Sequence, residues 1–147
     1  MESSFFDNFD PMYVIGAVFI LGTLVMVKFL PRLTAGVPFI EPKSIYDLID
    51  TGMNVVVLDV RSEGEFTGEL GHVPGSVNLA GMELDKRLAA VGSEIYDLKD
   101  APIFITCRTN NRSPRAARIL TKAGFTNVAI VKGGMVAWNK QGLPIEK

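Results

Sequence analysis

Cys107 is the only cysteine in the 147-residue chain, and it opens the segment Cys-Arg-Thr-Asn-Asn-Arg-Ser at residues 107–113. A thiol attacks as its thiolate, so its surroundings decide what it can do. Cys107 directly follows the apolar run Ile103-Phe-Ile-Thr106, and Pro114 leads into a helical pattern. Ser113 is placed to cap that helix, with Pro114 in the first turn, where its missing N–H costs nothing. A short loop ending on a helix N-terminus can turn several backbone N–H groups toward one point. With the positive helix end, they make a cradle for an anion and favour the thiolate. Cys107 is thus the candidate nucleophile, and Arg108, Thr109, Asn110, Asn111, Arg112 and Ser113 are the candidate anion-binding residues. From Cys107 to Pro144 the charged residues are Arg108, Arg112, Arg115, Arg118, Lys122, Lys132 and Lys140, with no Asp or Glu. Arg118 and Lys122 read as solvated helix residues, whereas the field of the whole cluster would draw in small anions.

The elements that must hold this loop can be read on either side of it. Pro42 starts a helical pattern with Ile45, Leu48 and Ile49 on one face, and Gly52 ends it. Residues 54–60 (Asn-Val-Val-Val-Leu-Asp-Val) form a continuous apolar run that suits a strand covered on both faces. Gly71, Pro74 and Gly75 mark turns, and residues 76–79 are a short strand candidate. A helix is expected at 84–91, a buried strand at 102–106, a helix at 113–123, a strand at 128–131 and a closing helix at 135–141. Alternation of strands and helices predicts an α/β domain with a mostly parallel sheet and helices on both faces. In such sheets ligands sit beyond the carboxyl ends of the strands, which is where Cys107 falls.

The N-terminal third differs in composition. The hydrophobic fraction is 48% and the mean hydropathy +0.25, and the excess is concentrated in Met12–Val27, which holds no charged residue. Extended through Leu30, the run approaches the ~20 residues of a transmembrane helix. A cleaved signal peptide would call for a basic start, whereas residues 1–11 carry Glu2, Asp7 and Asp10; a buried helix is the other competing reading. The expected organisation is a tail at 1–11, a transmembrane helix at 12–30, a linker at 31–38 and a domain at 39–147. With basic residues only after the helix (Lys28, Arg32, Lys43), the tail is expected outside and the domain in the cytoplasm, in a single-pass inner-membrane protein. An unpaired cysteine suits a reducing compartment. Fifteen basic against sixteen acidic residues argue against nucleic acid as a partner.

Over residues 39–147 the chain resembles single-domain rhodaneses, the thiosulfate or persulfide sulfurtransferases. The segments that carry the resemblance are Leu58-Asp-Val-Arg61, Gly71-His-Val-Pro-Gly-Ser-Val-Asn78, the loop at 107–113, Gly133-Gly-Met-Val-Ala-Trp138 and Gly142-Leu-Pro144. Asn110 departs from the glycine of many members, which bears on substrate choice. The resemblance implies that Cys107 carries a persulfide. It takes sulfur from a small anion such as thiosulfate or a persulfide and passes it to an acceptor thiol or protein. No metal or organic cofactor is required. Two alternatives follow: a rhodanese-like binding module in a membrane complex with little turnover, and a phosphatase. Phosphatase-type loops place the arginine six positions after the cysteine, whereas Arg112 stands five after Cys107. A membrane partner, possible through the helix at 12–30, completes the expected set.

Other residues read as structural. His72 is the single histidine and is expected to orient its turn; one Cys and one His cannot supply the three or four ligands of a usual zinc site. Asp59 and Arg61 follow a buried strand and are expected to pair in support of the site wall, and Trp138 is expected in the core.

Overall fold

The computed structural model describes residues 11–91 and 98–147, with the side chains of 28–34 and 91 excepted. Its centre is a five-stranded sheet in the order β1-β5-β4-β2-β3. The strands are β1 (Phe39–Ile40), β2 (Val56–Asp59), β3 (Val77–Asn78), β4 (Ile103–Thr106) and β5 (Val128–Val131). Every pairing in this sheet is parallel, and β4 sits in the middle, with Asp59 opposite Thr106 and Ile105 opposite Ile130. The helices are α1 (Pro11–Thr34), α2 (Pro42–Asp50), α3 (Glu63–Phe66), α4 (Leu84–Val91), α5 (Ser113–Lys122) and α6 (Gly134–Lys140).

Side chains alternate across a strand, so the apolar runs split between two cores. Leu58, Val60, Ile103, Ile105 and Ile130 face Ala116, Ala117 and Leu120 of α5 and Leu84 of α4. Val57, Phe104, Ala129 and Val131 face Ile45 of α2 and Met135 and Trp138 of α6. The expected α/β sheet with helices on both faces is therefore present. The sequence reading omits β1, which at two residues has no period to detect, and α3, which is a single turn.

The N-terminal expectation needs correction. α1 forms as a helix of 24 residues, yet among the described residues no helix is long and apolar enough to cross a membrane. The physical reason is length. The uncharged stretch Met12–Val27 is 16 residues, which at 1.5 Å per residue covers about 24 Å of the ~30 Å hydrocarbon core. Lys28 and Arg32 then follow within the same helix. The transmembrane helix at 12–30, the single-pass inner-membrane location and the membrane partner reached through that segment are not supported. α1 also runs four residues past position 30, so residues 31–34 are helical rather than linker. Ala35, just beyond, is buried in the core beneath α5. Of the expected tail, residues 1–10 lie outside the described residues.

Candidate functional site

Cys107 lies at the carboxyl end of the central strand with 1% of its surface exposed. Its carbonyl accepts from Met135 N–H at 2.8 Å, and the next carbonyl, of Arg108, accepts from Val136 N–H at 3.1 Å. The loop's first residues are thus tied to the start of α6. That approach requires glycine at 134: φ is +59°, and a Cβ there would lie 2.3 Å from the Cys107 oxygen and 2.5 Å from the Thr109 oxygen. Gly134→Ala should push the loop off α6 and cost both stability and any Cys107 chemistry. A fall in thermal midpoint together with slower alkylation kinetics of Cys107 would show it; unchanged values for both would mean the contact is slack. A third tie comes from Asn110, whose Oδ1 accepts from Gly133 N–H at 2.8 Å. A glycine at 110 could not make this bond.

The far end of the loop differs from the expected cap. Arg112, with αR backbone angles and no side-chain capping bond, occupies the N-cap of α5, and Ser113 is the first helical residue with Pro114 behind it. Ser113 is fully buried, and its Oγ has no hydrogen-bond partner. Along the loop, the backbone N–H groups of Arg108, Thr109, Asn110, Asn111 and Arg112 donate to no protein acceptor among the described residues. Five consecutive free donors thus run up to the start of a ten-residue helix, where N–H groups can serve an anion. The side chains of Arg108, Thr109 and Asn111 are exposed, and Asn110 is half-buried.

Arg112 points its charge at a partner missed at the sequence level. Its two terminal nitrogens donate to Glu65 Oε2 at 2.6 Å and Oε1 at 2.8 Å. The paired, charge-assisted geometry makes this a strong surface contact. Glu65 is itself held: Ser62 and Glu65 form a reciprocal capping box on α3. The spacing Ser62-x-x-Glu65 is the signal that could have found it. Hydrogen bonds from Arg112, against opposing partial burial, hold the Glu65 carboxyl down to about 2 from its usual 4.5. The Glu65 hydrogen bonds hold the Arg112 guanidinium above its usual range, and the charge of Glu65 acts in the same direction. The guanidinium thus ends the loop that Cys107 opens, held there by Glu65.

A depressed carboxyl contributes stability that is present above its unfolded pKa and lost as pH falls toward its folded one. The stability difference between the wild type and Glu65→Gln should therefore be constant above about pH 4.5 and vanish toward pH 2. Both side chains are partly exposed, 42% for Arg112 and 31% for Glu65. Screening then limits the difference to about 1 kcal/mol. Urea unfolding across pH 2–7 measures it, and a difference that persists at pH 2 would contradict the assignment.

Beneath Glu65, Asp59 and Arg61 form an ion pair with 0% and 1% side-chain exposure. The carboxylate accepts from Arg61 Nε at 2.9 and 3.0 Å, from Nη2 at 2.6 Å and from the Arg61 backbone N–H at 3.0 Å. Arg61 also donates to the Glu65 carbonyl at 2.9 Å and the Gly71 carbonyl at 2.7 Å, and so staples the 62–71 segment. His72 belongs to the same scaffold. It stacks on Phe66 at 3.6 Å, and its Nδ1 lies 3.0 Å from the Phe66 carbonyl, which can only accept. Its backbone pairs with Glu146 in both directions. Trp138 is buried, donating Nε1–H to the Pro144 carbonyl at 2.8 Å. Among the described residues, no group of three or more His, Cys, Asp or Glu is placed to hold a metal.

Residues 41–141 match the family described as Rhodanese-like domain. The chain belongs to this family. A rhodanese domain-containing protein of Drosophila melanogaster is 37% identical over 98 residues, which cover 61% of this chain and 87% of that one. A probable adenylyltransferase/sulfurtransferase of Mycobacterium tuberculosis is 31% identical over 106 residues, 71% of this chain but only 25% of its own length. Among solved structures, a rhodanese-related protein of Thermoplasma volcanium superposes with a TM-score of 0.61 at 27% identity, covering 74% of this chain and 97% of that one. The rhodanese-like fold thus accounts for the sheet, the two helical layers and the position of the Cys107 loop at the end of β4.

Proposed function

We propose that this rhodanese-like domain is a sulfurtransferase that carries sulfane sulfur on Cys107. The observation that carries the reading is the row of unpartnered N–H groups from Arg108 to Arg112, beginning right after a buried cysteine at the end of the central strand. A persulfide is a small anion fixed to the cysteine, and such donors stabilise it without a counter-ion. The name of the Mycobacterium tuberculosis relative, which includes sulfurtransferase, agrees with this chemistry.

With thiosulfate as donor, the Cys107 thiolate attacks the outer sulfur. A new S–S bond forms to Cys107, the bond to the sulfonate sulfur breaks, and its electron pair leaves with sulfite. In the second step a nucleophile attacks the outer sulfur of the persulfide, and the electron pair of the broken S–S bond returns to Cys107 as thiolate. Cyanide gives thiocyanate, and a thiol gives a new persulfide. Each step conserves electrons, so no redox cofactor is drawn in.

The test is direct. Incubation with thiosulfate should add the mass of one sulfur atom to the intact protein, and cyanide should remove it with release of thiocyanate. Hydrolysis of an aryl phosphate without sulfur uptake would favour a phosphatase. Neither reaction, in a folded protein that retains a partner on affinity capture, would favour a binding module.

A further inference from the structure

Beside the Cys107 loop lies a cavity of about 250 Å³. Val60, Gly81, Met82 and Ala116 give it an apolar wall, and Arg112 and Arg115 line its loop side. One wall residue, Val60, is tied to the Cys107 end of the sheet: Asp59 is opposite Thr106, and Val60 N–H donates to the Thr106 carbonyl at 3.0 Å. Val60 is therefore the neighbour of Cys107 across the β2–β4 pair. The two cations are not equivalent. Arg112 is bound by Glu65, whereas the exposed Arg115 has no hydrogen-bond or ion-pair partner among the described residues. A cavity of this size equals about eight waters at ~30 Å³ each. It has room for a short organic molecule but is much larger than cyanide needs.

We propose that this cavity is the acceptor subsite, and that the acceptor is a small thiol with a short apolar body and a terminal carboxylate. The inference rests on the sulfurtransferase reading and adds the substrate class. The apolar body lies along Val60, Gly81, Met82 and Ala116, the carboxylate meets Arg115, and the thiol is directed to the sulfur on Cys107. Its sulfur attacks the outer sulfur of the persulfide anion as the thiol proton passes to that outer sulfur. The S–S bond to Cys107 breaks, its electron pair stays on Cys107, and the acceptor leaves as an organic persulfide carrying the proton.

The experiment holds thiosulfate as donor, follows sulfite release, and compares cyanide with 3-mercaptopropionate, 2-mercaptoethanol and 2-aminoethanethiol as acceptors. In the wild type, KM should be lowest for the carboxylate among the three thiols. Arg115→Gln should raise KM for 3-mercaptopropionate about fivefold with little effect on that for 2-mercaptoethanol, the scale of one exposed charge pair. Gly81→Val offers a second route, because Gly81 is not at positive φ and a Cβ there meets Val60 only at 3.6 Å or beyond. Its added methyls narrow the cavity, so the kcat/KM of the thiols relative to cyanide should fall about fivefold. If both ratios stay within about twofold of the wild type, or if the cationic thiol is preferred, the subsite is overturned while the sulfurtransferase reading stands. Absence of sulfite and thiocyanate with every acceptor would instead overturn the sulfurtransferase reading itself.

Discussion

Cys107→Ser should reduce thiocyanate formation from thiosulfate by at least about 100-fold, to the level of the uncatalysed reaction. The expectation follows from the atom replaced. A serine hydroxyl stays protonated near neutral pH and cannot accept sulfane sulfur as a persulfide, so both steps of the cycle lose their carrier. The fold should survive. The ties from residues 107 and 108 to α6 use the carbonyls, to Met135 and Val136, and both remain in the variant. The cost is confined to a buried hydroxyl in place of a buried thiol, about 1–3 kcal/mol if it finds no partner. Circular dichroism and a thermal melt establish folding, and sulfur uptake is read by intact mass. A folded Cys107→Ser that still gains a sulfur atom from thiosulfate would exclude Cys107 as the carrier. The Arg112 substitution is a milder test: Arg112→Ala frees Glu65 and removes a positive charge near Cys107, so sulfur uptake should slow without stopping.

What the sequence made legible was whatever repeats or runs. The β2, β4 and β5 segments are continuous apolar stretches, because a parallel strand covered on both faces has no polar side to alternate with. Their order, with helices between, leads to the sheet and puts Cys107 at a strand end. Contacts between distant segments were not legible. Glu65 and Arg112 are 47 positions apart, and nothing in local spacing joins them. The capping-box pattern marks Glu65 as a helix-start residue, and only the approach of α3 to the loop gives it a second task. The same holds for Gly134. A Gly-Gly pair signals a turn, but the need for its missing Cβ arises from the Cys107 and Thr109 carbonyls 25 to 27 residues earlier. At the N-terminus the difficulty was one of length. An uncharged run of 16 residues forms a helix readily, and counting Lys28, Phe29 and Leu30 with it makes it look nearer to a membrane span than it is.

Asp59→Ala should destabilise the domain by about 3–5 kcal/mol, the cost of leaving a buried charge without its partner. Arg61 is 1% exposed and would keep only the Glu65 and Gly71 carbonyls as acceptors. Removing the charge along with its partner tests that cause. In Asp59→Ala/Arg61→Met the buried cation is gone and the aliphatic stem is kept, so the double variant should be more stable than Asp59→Ala alone, a sign opposite to additive loss. Activity supplies a second readout. Arg61 anchors the segment that carries Glu65, and Glu65 grips Arg112 at the end of the Cys107 loop. The double variant should therefore regain stability but not sulfur transfer, because the staple on residues 62–71 is still missing. Urea unfolding and sulfite release, measured on the same preparations under conditions where each variant is folded, separate the two effects. Recovery of both together would show that the pair acts on stability alone. Recovery of stability without activity would place Asp59 and Arg61 as positioning residues, acting on Cys107 through Glu65 and Arg112.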